Sequence, residues 1–309
     1  MLPRLRFRLA TLGLLVLLWS AVFAVVGVEY RAARREERLL LKYVTAPVEI
    51  SYAPFVDTYS FSGYVGPSRE RRWMAVVNWY PFVFGDAFRR VRELTVNRTW
   101  TNGCAQVIQG CSRANVVTLY HVDVTETVVR DLSGCSHIVK LRCLGCRFSE
   151  AAQASMRECV WIHDIEIVPQ KSATEEVNVD LLKDMPGLEA IAIEYGTVHL
   201  DQLEGLSCRG RLRALSLRGA SMVGRLRSVE GFERLEFLSL HNAMQVKDRG
   251  MCMTKDNKLE NLTALHNLRQ LRLLDLTGLS ITEAEIAELQ RCLPRCRILY
   301  GDAIVRGSQ

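Results

Sequence analysis

Eight times between Val91 and Leu276 the chain repeats one short pattern, LxxLxL, with apolar residues at the first, fourth and sixth positions. The copies are VRELTV from Val91, ANVVTL from Ala114, IVKLRC from Ile138, IHDIEI from Ile162, LEAIAI from Leu188, LRALSL from Leu212, LEFLSL from Leu235 and LRLLDL from Leu271. A truncated ninth copy, CRILYG, begins at Cys296. Successive starts lie 23, 24, 24, 26, 24, 23, 36 and 25 residues apart, and the long interval holds the polar stretch KDRGMCMTKDNK, residues 247–258, which reads as an insertion. The fourth and sixth positions are two apart, so they point to one side of a strand while the residues between them face the other way. The stretch after each strand must carry the chain back to the next. In ITEAEIAELQRCL, residues 281–293, Ile281, Ile286, Leu289 and Leu293 recur at helical spacing and Thr282 with Glu285 forms a capping box. One such unit cannot bury its apolar side alone; stacked units share a continuous core.

Seven of the eight intervals fall in the window of roughly 20–29 residues that marks leucine-rich repeats. The expected fold is therefore α/β: a leucine-rich-repeat solenoid, with a curved parallel sheet on the concave side and helices or irregular turns on the convex side. A doubly wound α/β domain also alternates strand and helix, but its longer units would not reproduce LxxLxL at near-constant spacing.

The cysteines sharpen the comparison. Cys111, Cys135 and Cys159 each stand three residues before a strand start, and Cys146 stands three after Cys143 in LRCLGC. In this the repeats resemble the cysteine-containing subtype of leucine-rich repeats. The last repeat, LRLLDLTGLSITEAEIAELQRCLPRCRIL, is similar to the terminal repeats of bacterial membrane-anchored leucine-rich-repeat proteins, which also begin with a short basic segment and a single span. The chain departs from the cysteine pattern after Cys159, where Met185, Arg209, Phe232, Leu268 and Leu293 take the position before the strand. The resemblance implies fold and anchoring; it implies no ligand.

Ahead of the repeats, residues 9–28 read LATLGLLVLLWSAVFAVVGV, from Leu9 to Val28 without a charge. At about 1.5 Å per residue such a helix spans roughly the 30 Å hydrocarbon core. A cleaved signal peptide is the rival reading, but its apolar stretch is typically about 7–15 residues. The expectation is one uncleaved transmembrane helix. Residues 1–42 hold eight basic residues against Glu29, Glu36 and Glu37, which is most of the net charge of +6. A basic excess flanking an apolar segment suits membrane headgroups, whereas a nucleic-acid surface would need it on the folded domain. Three arginines precede the span and five basic residues follow it, which places the repeats on the cytoplasmic side. The resulting organisation is a basic tail (1–8), the span (9–28), a basic helical stalk (29–42), a linker and N-terminal cap (43–90), the repeats (91–301) and a tail (302–309). Within 43–90, WYPFVFGDAF, residues 79–88, reads as part of the cap that covers the solenoid's open end.

Little points to chemistry. Cys143 and Cys146 form a CxxC and Cys292 and Cys296 a CxxxC, but these pairs lie several repeats apart and cannot share one metal ion. Because Met185 and Phe232 later take the place of Cys111, Cys135 and Cys159, those cysteines read as buried, unpaired packing residues. No HExxH, GxSxG, Walker A or GxGxxG is present. The chain is expected to be no enzyme and to need no cofactor. What remains is the outward strand face, the third, fifth and seventh positions of each unit. Its candidate partner-binding residues are Tyr120, Lys140, Arg142, Glu194, Arg218, Phe237 and His241. Arg and aromatic residues are enriched at binding hot spots, so a protein or peptide ligand is expected, with no nucleic acid. A solvated face is the alternative, with Lys140 and Arg142 paired to Asp164 and Glu166 of the next unit. The functional expectation is a membrane-tethered protein-interaction scaffold; the alternative is a structural or assembly subunit of a membrane complex.

Overall fold

The computed structural model describes residues 93–170, 175–246 and 261–301, with Val91, Leu259, short pieces at 48–51, 60–61, 64–65 and 303–305, and scattered residues between Leu17 and Arg38. The insertion at 247–258, the aromatic stretch at 79–88 and Leu9 lie outside the described residues.

Each LxxLxL unit is a strand. The main sheet has eleven: β1 (Val48–Ser51), β2 (Glu93–Asn97), β3 (Val116–Tyr120), β4 (Lys140–Leu144), β5 (Asp164–Val168), β6 (Ala190–Ile193), β7 (Ala214–Ser216), β8 (Phe237–Ser239), β9 (Leu273–Asp275), β10 (Arg297–Tyr300) and β11 (Ala303–Val305). Their spatial order follows the chain order without reversal, and β2 to β10 are all parallel. A doubly wound sheet would reverse its order at a switch point; this one advances one strand per repeat, as a solenoid does.

The register is a strict lattice. Leu94, Val117, Leu141, Ile165, Ile191, Leu215, Leu238, Leu274 and Ile298 pair strand to strand as one column of fourth positions, and all are buried. The last copy is one residue short. Cys296 closes its turn onto Leu293 as Leu271 does onto Leu268, yet Ile298 pairs with Leu274, so one residue is missing between the first and fourth positions.

The convex side changes character along the chain. The returns after β2, β3 and β4 are α-helical: α1 (Asn102–Gly110), α2 (Glu126–Ser133) and α3 (Glu150–Ser155). The next four are 3₁₀ segments at Val179–Leu182, Leu200–Gly205, Leu226–Val229 and Leu262–Asn267. The switch follows Cys159, where the cysteine pattern also stops. The last return is again α-helical, α4 (Glu283–Cys292). The Glu285 N–H donates to Thr282 Oγ1 and the Thr282 N–H to Glu285 Oε2, the capping box expected from the sequence.

Cys111, Cys135 and Cys159 are buried, and all nine cysteines among the described residues carry free thiols. Burial pushes Cys135 up to about 11 and Cys159 up to about 12, so both stay neutral and behave as small apolar groups.

A second periodicity sits just past each strand. The eighth position is left-handed at Arg98, His121, Gly145, Tyr195, Gly219, Asn242 and Gly278; Pro169, whose ring holds φ negative, is the exception. These residues stack. A Cβ on Gly219 would stand 2.9 Å from the Tyr195 ring of the preceding repeat, in a backbone with φ +65°. Gly219→Ala should lower stability by about 1–2 kcal/mol from the left-handed backbone alone, with a further steric loss. In the Tyr195→Ala background the steric part should disappear, so that in denaturant titrations the two substitutions together cost less than their sum. Simple additivity would show that the Tyr195 ring does not crowd this site.

Candidate interaction surface

On the concave face the third, fifth and seventh positions of neighbouring strands stand side by side, and the structure divides them into two halves of opposite character. From β2 to β5 the face is charged. Arg142 reaches Glu166 with two nitrogens, Nε at 3.0 Å from Oε2 and Nη2 at 3.1 Å from Oε1, and its Nη1 lies 3.4 Å from Glu93 Oε1. Lys140 Nζ lies 3.0 Å from Asp164 Oδ2 and 3.7 Å from Glu166 Oε2. Thr118 Oγ1 donates to Glu93 Oε1 at 2.7 Å. The register explains the meeting: Lys140 pairs with Asp164 and Arg142 with Glu166 across one ladder.

Two cations thus serve three carboxylates in a partly dry setting. Burial alone would lower Arg142, but the hydrogen bond and charge of Glu166, helped by Glu93, hold it above its ordinary value. For Asp164 the balance goes the other way. Burial raises it more than the Lys140 charge lowers it, and its Oδ1 is buried without a hydrogen-bond partner.

From β6 to β9 the face is small and apolar. Ala192, Ala214 and Phe237 form a second cluster apart from the main core, with Ala190 and Leu273 packed against it. Ser216 and Ser239 are buried beside it, and Ser239 Oγ donates to Asp275 Oδ2 at 3.4 Å.

This arrangement revises the expected binding face. Phe237 is not an exposed aromatic anchor: it is 1% exposed, because the alanines of the two preceding strands leave room for its ring. Lys140 is likewise buried, held by two carboxylates, and Arg142 is half-buried in its own ion pairs. The other candidates cluster along the strand exits. Tyr120 is 42% exposed, edge-on to His121 with ring centroids 4.3 Å apart. Arg218 is exposed, and Glu194 and His241 are half-buried, His241 Nδ1 lying 3.8 Å from Asp275 Oδ2. Sequence reasoning missed Tyr195, 46% exposed at a left-handed eighth position in the same row, and Val160 and Trp161, 44% and 47% exposed just before β5. Tyr195 could have been found by extending the outward set by one residue. Trp161 carries no periodic signal.

No group of three or more His, Cys, Asp or Glu that could hold a metal ion occurs among the described residues. At the N-terminus, the described residues between Leu17 and Val28 are helical, and Leu17, Trp19, Phe23 and Val28 are exposed. No helix among the described residues is long and apolar enough to cross a membrane.

The strand pattern, its register and the single-file sheet define a leucine-rich-repeat solenoid. No family model matches the chain, and no curated protein matches it. Among solved structures it is similar to internalin C2 of Listeria monocytogenes, with 15% identity over 66% of this chain and 80% of that one and a TM-score of 0.41. It is also similar to a leucine-rich-repeat protein of Leptospira interrogans, with 13% identity, coverage of 65% and 51%, and a TM-score of 0.41. A third is the plant peptide hormone receptor RGFR1 in complex with RGF2, with 11% identity, coverage of 70% and 32%, and a TM-score of 0.41. The chain thus spans about half of the second and a third of the third.

The charged half of the face makes two checkable statements. A double-mutant cycle on Arg142→Ala and Glu166→Ala should give a coupling of about 0.5–3 kcal/mol in unfolding free energy. Asp164 has a native pKa above its unfolded value, so the native state takes up its proton first. Its ionisation therefore costs stability as pH rises from about 3.9 through the raised native value. The stability of Asp164→Asn relative to the unsubstituted protein should fall as pH is lowered through that window. A pH-independent difference would mean that Asp164 is not desolvated.

Proposed function

We propose that this chain is a membrane-tethered protein-interaction scaffold that recognises a protein or peptide along the strand exits of its sheet. The observation that carries this reading is the division of the face. The third and fifth positions are engaged in ion pairs from β2 to β5 and in a small apolar cluster from β6 to β9, whereas Tyr120, Tyr195 and Arg218 present exposed side chains along the strand exits, flanked by Glu194 and His241. Tyr and Arg are residue types that dominate binding energy at interfaces, and a row of both charge signs suits a polypeptide better than a polyanion. No catalytic step and no cofactor are part of the proposal.

The tether is supported by the uncharged stretch from Leu9 to Val28 and its basic flanks. Large apolar side chains exposed on one helix, as at Leu17, Trp19 and Phe23, are costly in water and favoured in lipid. The charge flanking the span and the free thiols both suit a repeat domain on the cytoplasmic side.

A second reading has its own observation. Val160 and Trp161 form an exposed apolar pair at the strand entries, away from that row. A subunit held permanently in a membrane complex would use such a patch. Replacing Tyr120 and Tyr195 with Ala and Arg218 with Glu should remove partners that co-purify from membranes, with folding unchanged by circular dichroism. If those partners persist and are lost instead on Val160→Ser with Trp161→Ala, the subunit reading replaces the scaffold. The full-length chain should remain in the membrane pellet through high-salt and alkaline washing with its N-terminus intact; a mature protein starting within residues 9–28 would overturn the tether.

A further inference from the structure

The CxxC at the end of β4 is unlike the other cysteines. Cys143 occupies the sixth position of its strand, in a column with Leu119 and Ile167, and is buried. Cys146 lies just past the strand and is half-buried, its Sγ 3.3 Å from the Leu119 carbonyl oxygen. Between them the chain bends at Gly145, whose φ is +65° and whose place no larger residue could take without striking the His121 ring. Nδ1 of that ring is buried without a hydrogen-bond partner. The unit is therefore a half-buried thiol that donates to the Leu119 carbonyl, a fully buried thiol three residues away, and an unpartnered imidazole nitrogen against the bend that joins them.

We infer that Cys146 is a thiol–disulfide exchange site and that Cys143 is its resolving partner, so that the pair reads the redox state of a low-molecular-weight disulfide such as glutathione disulfide. The Cys146 thiolate attacks one sulfur of that disulfide. Its S–S bond breaks, one thiolate departs, and a mixed disulfide forms on Cys146. The departing thiolate takes the Cys143 proton, and the Cys143 sulfur attacks the Cys146 sulfur. The mixed bond breaks, the second thiolate leaves, and a Cys143–Cys146 disulfide remains. Two electrons pass from the two cysteines to the external disulfide, which ends as two thiols.

The acidities support these roles. A hydrogen bond from the Cys143 thiol holds Cys146 below the ordinary thiol value, against burial and the Asp123 charge, while Cys143 itself is held well above it. The thiolate is the attacking species, so the half-exposed member of the pair is the reactive one. Cys135, Cys159, Cys208 and Cys296 are pushed by burial to about 11, 12, 11 and 12, which leaves them inert. Closing the bond would pull the end of β4 toward its exit turn, beside Tyr120 and Leu144, which pair across the ladder at the edge proposed to bind a partner.

The test uses the full-length, reduced protein. With limiting iodoacetamide, followed by peptide mass spectrometry, Cys146 should alkylate several-fold faster than Cys292, which is also half-buried. With glutathione disulfide, the unsubstituted protein should accumulate an internal Cys143–Cys146 bond without lasting glutathionylation. Cys143→Ala should trap the mixed disulfide on Cys146, and Cys146→Ser should abolish both products. If Cys143→Ala does not fold, the alkylation ratio and the identity of the product in the unsubstituted protein still decide. Equal alkylation of Cys146 and Cys292, or a stable mixed disulfide that never closes, would overturn the proposal.

Discussion

Everything in this molecule depends on the fact that a single repeat cannot bury its own apolar side. A strand of three to five residues with a short return offers one face of two or three apolar residues and no second layer. Only the next copy, hydrogen-bonded in register, turns that face into an interior. The columns of fourth and sixth positions are the result; the fourth-position column is buried from β2 to β10, and the sixth positions are buried from Val96 to Leu276. The register matters more than the identity of any one residue: Cys143 serves among leucines and isoleucines because a neutral thiol is a small apolar group. The same lattice sets the concave face. Stacking in register places Lys140 beside Asp164 and Arg142 beside Glu166, so the face is self-paired as a by-product of the core's periodicity.

The strands, their order and the capped last helix were legible from LxxLxL, because an inward triplet at near-constant spacing has one stacking solution. The left-handed eighth position was not. It is occupied by Arg98, His121, Tyr195 and Asn242 as readily as by Gly145 or Gly219, and no residue type announces it. Nor was the division of the concave face. Alternation tells which side a residue points to, but not whether its neighbours two strands away are alanines. Phe237 reads as an anchor in one strand and proves to be a packing residue only when β6, β7 and β9 are set beside it. Lys140 reads as a surface charge and proves buried for the same reason. Lateral neighbours, about two dozen residues apart in sequence, decide exposure, and no local window contains them.

That shifts attention from the middle of the sheet to its rim. Charges already engaged with one another, as Arg142 is with Glu166, are costly to displace, because any ligand must repay the ion pairs it breaks. The strand exits carry no such penalty at Tyr120, Tyr195 or Arg218. They also lie beside the left-handed turns, where the backbone is most constrained and side chains are held in fixed directions. Rigid presentation of a few aromatic and cationic groups limits the entropy lost on association.

The two ends of the main sheet run against its grain. β1 pairs antiparallel with β2, Val48 opposite Val96, and β11 pairs antiparallel with β10, Ile298 opposite Val305. At each end the parallel ladder of the repeats therefore passes into a strand of opposite direction that belongs to no repeat. The nine parallel strands from β2 to β10 are bracketed by these two, and the rim of strand exits runs between them.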